Sequence, residues 1–236
     1  MESINEKQTD KLVQKSIELV KLIKFPNTTI NYSNNFLKLQ KQRDVNPENN
    51  IGTIHLIKQN KDVEYESFSE KKVLELLSYC PYILDIKVQS LIIEYKVNDK
   101  KHLYYPDFQI LFDDGRMAII EVKDYFSMGD YIVKNKYNVL KDFCERKGIG
   151  YMMIDDMMND FETIKDTKYN EEDKKLLMNY LINHSQMKYI DFLKYKNEIN
   201  FNSAEFLSMI INDDDIIFHR SPFYIKYKKS KQINEI

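Results

Sequence analysis

Two apolar runs flank the short turn Asp113-Asp114-Gly115, and this arrangement constrains the chain more than any other feature. Upstream, Tyr104-Tyr105-Pro106-Asp107-Phe108 runs on to Phe112; downstream, Met117 leads to Glu121-Val122-Lys123. A three-residue loop ending in glycine makes a bulged hairpin, with Gly115 in the left-handed position. That register pairs Phe112 with Arg116 and Asp107 with Glu121. Strand alternation then puts Glu121 and Lys123 on one face, with Ala118, Ile120 and Val122 on the other. A two- or four-residue loop would turn Asp107 to the opposite face. The grouping of two carboxylates and one ammonium therefore depends on the turn.

Such a grouping has a specific chemical use. Two carboxylates hold a hard cation such as Mg²⁺, which keeps several of its waters. The cation polarises a phosphate and acidifies a bound water. A lysine two residues on orients that water or stabilises the charge that develops. Phosphodiester hydrolysis needs both functions. The plain alternative is a solvated hairpin with one cross-strand ion pair. The apolar run Ala118, Ile120, Val122 argues against it, because it marks a core strand. A third acid, Glu70, precedes Val73 and Leu74 by three and four residues and so lies on the apolar face of its helix, an awkward place for a carboxylate. Two readings stay open. Glu70 points into the site as a metal ligand or outer-sphere base, or it closes a capping box with Ser67. Glu66 is a neighbouring candidate for the same role.

Apolar periodicity places helices at 11–24 (ended by Pro26), 67–79 and 130–147, and strands at 53–58, 86–95, 103–112, 117–123 and 151–154. The stretch 27–50 reads as loop. Strand, helix, three strands, helix, strand is the order of an α/β sandwich with a mixed sheet. After Asp155 an acidic, Met-rich linker runs to Lys168. Helices at 171–187, near 189–195 and at 203–211 follow, then a hairpin from 216–218 and 223–227. Three helices and a hairpin is the order of a winged helix. The expected division is an N-terminal extension over 1–52, a core over 53–156 and a small, mainly helical C-terminal domain over 157–236.

The balance of charge narrows the partners. The 236 residues carry 35 basic and 37 acidic side chains, a formal charge of −2. A protein that grips DNA unaided carries a basic excess, so any DNA contact here comes from local patches or from a partner's help. Lys134 and Lys136 read as solvated helix lysines, with phosphate contact as the alternative. Lys226, Lys228, Lys229 and Lys231 form a basic tail that either tracks a DNA backbone or solubilises the chain. Cys80 and Cys144 have no metal-ligand spacing and are too few for a disulfide scaffold, which fits a reducing cytoplasm. His55, His102, His184 and His219 show no zinc spacing. Tyr104 and Tyr105 are expected to pack around the site. No apolar signal core or membrane-length run is seen, so a soluble cytoplasmic protein without a membrane partner is expected.

Together these residues resemble the PD-(D/E)xK nuclease superfamily, and within it look most like TnsA, the endonuclease subunit of heteromeric transposases. The likeness rests on Val63-Glu64-Tyr65-Glu66-Ser67-Phe68-Ser69-Glu70, Ile86-Lys87-Val88-Gln89-Ser90-Leu91, Tyr105-Pro106-Asp107-Phe108 and Ile120-Glu121-Val122-Lys123, spanning about 53–155. The resemblance implies a restriction-endonuclease-like mixed sheet flanked by helices, followed by a winged-helix-like domain. It implies Glu70, Asp107, Glu121 and Lys123 as the catalytic set. Mg²⁺, replaceable by Mn²⁺, would be held by Asp107, Glu121 and Glu70 with the Val122 carbonyl. It also implies double-stranded DNA as substrate, cut at the 5′ ends of a transposon beside a TnsB-type transposase and a TnsC-type ATPase regulator. Two departures stand out: Ser90 occupies a position that often carries proline in the family, and residues 1–50 and the C-terminal region have no residue-by-residue match. The competing readings are a restriction, defence or phage DNA-processing nuclease of the same superfamily, and a non-enzymatic DNA-binding or assembly module. The intact acid and lysine set argues against the last.

Overall fold

Helical spacing of Leu12, Ser16, Leu19 and Ile23 gives the first helix a buried stripe, and the computed structural model places that helix, α1, at Glu6–Lys21. The described residues are 6–32, 52–97, 99–198 and 202–228. Most of the expected 27–50 loop, together with Lys229 and Lys231, lies outside them. The chain packs as two units, one of Met1–Lys123 with Tyr137–Asp160 and one of Asp124–Lys136 with Phe161–Ile236.

In the first unit a hairpin, β1 (Gly52–Leu56) and β2 (Lys61–Tyr65), precedes helix α2 (Phe68–Ser78). Strands β3 (Ile83–Val88), β4 (Ile93–Val97), β5 (Lys100–Tyr104), β6 (Phe108–Phe112) and β7 (Met117–Val122) follow. After a 3-10 turn at Tyr125–Gly129 come α3 (Tyr131–Lys147) and β8 (Gly150–Ile154). The order in the main sheet is β3-β6-β7-β8. Its first two pairings are antiparallel and the β7–β8 pairing is parallel, so the sheet is mixed. A parallel pair needs a long crossover, and α3 lies in that connection. A mixed sheet with helical cover is the architecture of restriction-endonuclease-like folds.

The expected strands 86–95 and 103–112 are each broken in two, for local reasons. Gln89 adopts a left-handed φ of 42° and ends β3. Pro106, which has no N–H for the ladder, separates β5 from β6. The resulting β4–β5 pair forms its own two-stranded sheet.

One face of the main sheet carries Ile86, Phe108, Ile110, Phe112, Ala118, Ile120, Val122, Met152 and Ile154. These pack with Leu19 and Ile23 near α1, and with Val73, Leu74 and Leu77 of α2. Fully burying each large aliphatic side chain contributes about 1.5–3 kcal/mol, so this layer anchors the strands that carry the acids. The opposite face contains Asp107, Gln109, Ile119 and Glu121 by alternation. Tyr151 of β8 meets Tyr137 of α3 on that side, ring centroids 6.0 Å apart.

In the second unit a short helix α4 (Phe161–Lys165) is followed by α5 (Glu171–His184), β9 (Gln186–Lys188), α6 (Tyr189–Glu198), α7 (Ser203–Ile211), β10 (Ile216–His219) and β11 (Tyr224–Tyr227). The sheet order is β10-β11-β9, all antiparallel. The expected helix 171–187 stops at His184 because Ser185 turns left-handed, with φ 61°, and its last residues become β9. The expected linker 155–168 instead contains α4. Lys134 corrects an expectation outright: it is buried, and its Nζ donates to the Ile210 and Asp213 carbonyls at 2.8 and 3.0 Å. It closes the C-terminal end of α7, where a cation is favoured, and is neither a solvated surface lysine nor placed to meet phosphate.

Candidate active site

The turn is built as its sequence demands. Gly115 has φ 83°, and its N–H donates to the Phe112 carbonyl at 3.0 Å. Phe112 in turn donates to the Arg116 carbonyl at 2.9 Å. The ladder then runs Leu111 with Met117, Ile110 with Ala118, Gln109 with Ile119 and Phe108 with Ile120. Continued by one step, it sets Asp107 opposite Glu121, as the three-residue loop requires.

Three of the expected residues are brought together. The Lys123 ammonium lies 2.6 Å from Glu121 Oε1 and 4.0 Å from Asp107 Oδ2. It also donates to the Val122 carbonyl at 3.0 Å. Asp107 Oδ2 accepts the Val122 N–H at 2.6 Å, which fixes the carboxylate across the hairpin. Both acids are buried. Burial, and then the negative charge of Glu121, raises the Asp107 carboxyl well above its usual range; Lys123 and the Val122 N–H oppose the rise. Burial by itself would lower the Lys123 ammonium, but Asp107 and then Glu121 outweigh it, and the ammonium is held above its ordinary value. Lys123 therefore stays charged at neutral pH and balances two acids that are crowded together.

Glu70 caps the start of α2 in a variant of the box, and it also lies within electrostatic reach of the cluster. At the start of α2, its N–H donates to the Ser67 hydroxyl at 3.1 Å, and its Oε1 accepts the Ser67 hydroxyl at 3.0 Å. The reciprocal bond of the cap comes to Oε2 from the Glu66 N–H, at 2.9 Å, rather than from Ser67. Yet Glu70 is near enough to Lys123 and Asp107 for their charges to act on one another. Burial raises the Glu70 carboxyl above its usual value, while its two hydrogen-bond donors hold it down.

Tyr104 packs beside the site as expected, and two further neighbours, Gln109 and Gln89, went unrecognised in the sequence. Tyr104 is buried with its hydroxyl beside the Glu121 carboxylate; burial, then Glu121 and Asp107, push the phenol well above its usual range. Gln109, on the Asp107 face of β6, donates to the Ser90 hydroxyl at 2.7 Å within the core. Gln89 donates its N–H to the Asp107 carbonyl at 2.7 Å, so the left-handed bend braces the strand at the acid. A glutamine inside the apolar run Phe108-Gln109-Ile110-Leu111 was the available signal.

Among the described residues, no three His, Cys, Asp or Glu side chains are gathered closely enough to hold an ion by themselves. A cation that uses one or two carboxylates and keeps its waters needs no such cage. The residues present fit that kind of ion. Asp107 and Glu121 are hard oxygen donors facing each other across one strand pair, and the Val122 carbonyl lies within the same cluster. Glu121 Oε2 is buried without a donor at hydrogen-bonding geometry. A buried carboxylate oxygen left in that state carries an energetic cost, which a cation would relieve.

A search of curated proteins finds no match to the chain. Residues 80–156 match the family model described as TnsA-like endonuclease N terminal. The match spans Asp107, Glu121, Val122 and Lys123, and begins after Glu70. On this segment, the chain is similar to the N-terminal domain of TnsA-like endonucleases.

Proposed function

We propose that the protein is a metal-dependent DNA endonuclease that cuts the 5′ ends of a transposon, acting as the TnsA-type subunit of a heteromeric transposase. One observation carries this reading: the hairpin that matches the endonuclease family also joins Asp107, Glu121 and Lys123 in a single buried cluster. Asp107 and Glu121, with the Val122 carbonyl, would hold Mg²⁺ or Mn²⁺, and Glu70 would complete the acidic set from the start of α2. The bound ion would supply Lewis-acid activation of the scissile phosphate and of a water.

The chain's own residues supply the rest. The Val122 N–H fixes Asp107 through one oxygen, so the carboxylate needs little reorganisation. Lys123 neutralises the two acids in the resting site. With the acids engaged in holding a metal, the Lys123 ammonium would be free to orient the attacking water or stabilise negative charge on the phosphate. The β6–β7 sheet and its apolar layer hold these groups rigidly.

A TnsB-type transposase and a TnsC-type ATPase regulator are the proposed partners, and the lack of basic excess favours a subunit whose DNA is held in a complex. In the second unit, the order α5, β9, α6, α7, β10, β11 with β11 central is that of a winged helix, and we read it as one. The test is strand-resolved cleavage of end-labelled transposon-end duplexes in Mg²⁺, with and without the partner transposase. Nicks confined to the 5′ end, absent with Asp107→Ala, are expected. Cuts on the 3′ strand or at sites unrelated to the element end would refute the transposon role.

A further inference from the structure

Asp107 stands where its own strand does not hold it. Pro106 precedes it and has no N–H, and β6 begins only at Phe108. The Val122 N–H fixes the carboxylate, but the backbone is held from the other side, by the Gln89 N–H on the Asp107 carbonyl at 2.7 Å. That donor depends on an uncommon conformation. Gln89 has φ 42°, a left-handed backbone that a residue with a Cβ disfavours. The bend therefore persists only if its surroundings hold it.

The bond that holds it comes from Gln109. Ser90 is the residue after the bend, and Gln109 lies two residues after Asp107 on β6. Gln109 Nε2 donates to the Ser90 hydroxyl at 2.7 Å, with both side chains buried. A closed ring results: Asp107 runs along β6 to Gln109, Gln109 bonds Ser90, and Gln89 bonds back to Asp107. Gln109 is also a costly residue at this position. It is 1% exposed, opposite Ile119 and two residues from the buried Leu111. Its Oε1 finds no donor among the described residues, and turning the amide over would leave the NH₂ unmet instead. A buried polar group in that state loses its hydration without return. Methionine would fill similar space without the loss. What Gln109 gains in exchange is its bond to the residue that follows the Asp107 brace.

We infer that Gln109 and Ser90 are positioning residues for the metal: through the Gln89 bend they set the backbone of Asp107, and so the direction in which its carboxylate meets a divalent cation. The inference rests on the metal-dependent reading above, and it gives neither residue a contact with the ion or the DNA. Groups that orient a ligand from behind tune metal affinity by about 10- to 100-fold, which sets the size of the expected effect.

The test is Mn²⁺ binding to the full-length chain without DNA, followed by loss of the free-ion paramagnetic resonance signal, so that no cleavage is involved. Wild type is compared with Ser90→Ala, Gln109→Met, the double variant and Ser90→Thr, which keeps the hydroxyl. Leu181→Ala, at a buried position of α5, serves as a variant destabilised far from the ring in sequence, with urea midpoints measured for all. Mn²⁺ affinity is expected to fall at least about tenfold in Ser90→Ala and in Gln109→Met. The double variant should bind no more weakly than either single one, because both remove the same bond. Ser90→Thr and Leu181→Ala should bind as wild type does. Wild-type affinity in both single variants, additive losses in the double variant, or an equal loss in Leu181→Ala would overturn the inference while leaving the metal-dependent reading in place. A wild type that binds no Mn²⁺ would overturn both.

Discussion

At Asp107 stability and chemistry pull in opposite directions. Its carboxylate is buried against Glu121, and its pKa is raised by that burial and that charge. An asparagine there can still accept the Val122 N–H while removing the repulsion. Asp107→Asn is therefore expected to keep or raise the thermal midpoint, by about 1 kcal/mol of stability, while cutting DNA cleavage at least about 100-fold. Scanning calorimetry beside a cleavage assay checks both halves. Glu70 can be dissected in the same way. Glutamine can replace a glutamate in a capping box, so Glu70→Gln should hold stability within about 1 kcal/mol and abolish cleavage if the charge serves the site. Full activity in that variant would leave Glu70 only its cap. These residue types and their order were legible in the sequence because strand alternation has a period of two. Gln109 was not, because burial of a polar side chain depends on what packs over it, and the partner Ser90 lies beyond the irregular Gln89 bend.

At the scale of elements, the hairpin register rests on Gly115. An alanine there would be strained at φ 83°, and its Cβ would collide with the Asn31 side chain. Gly115→Ala should cost about 1–2 kcal/mol, seen as a lower urea midpoint, with cleavage per folded molecule preserved if the register survives. Helix α7 gives a prediction that depends on pH. Burial depresses the Lys134 ammonium to about 8, against the opposing pull of Asp214 and Asp213. Between about 8 and the ordinary lysine value of 10.5 the unfolded chain binds more protons than the folded one, so stability rises with pH across that window. The urea midpoint of wild type should climb relative to Lys134→Met from pH 8 to pH 10. Parallel curves would show that the ammonium is not perturbed. At pH 7 the same variant should lose about 1–3 kcal/mol, having left the α7 carbonyls without their donor. The sequence placed α7 correctly because its boundaries carry strong signals, Asn202 as cap and Asn212 beyond the end. It missed β9 because three residues after a left-handed Ser185 have no period of their own.

For the whole molecule, the −2 charge sets the expected behaviour of the isolated chain. Its affinity for duplex DNA should fall in the non-specific range, on the order of 10⁻⁴–10⁻⁶ M at physiological salt, by fluorescence anisotropy. Nanomolar binding without a partner would contradict a shared grip on DNA. A change of composition near Asp155 is the sequence signal behind the expected boundary between 53–156 and 157–236. The sequence did not reveal that Asp124–Lys136 packs with the second unit, because Lys134 looks solvated until its carbonyl partners are known. The most direct test of Asp107, Glu121 and Lys123 as one nuclease centre is a single-turnover cleavage measurement in Mg²⁺ and in Mn²⁺. It compares wild type with Asp107→Ala, Glu121→Ala and Lys123→Ala, all assembled with the partner transposase. Cleavage that requires the metal and falls at least about 100-fold in each variant is expected. Cleavage that persists in the three variants, or that proceeds unchanged in a chelator, would contradict it.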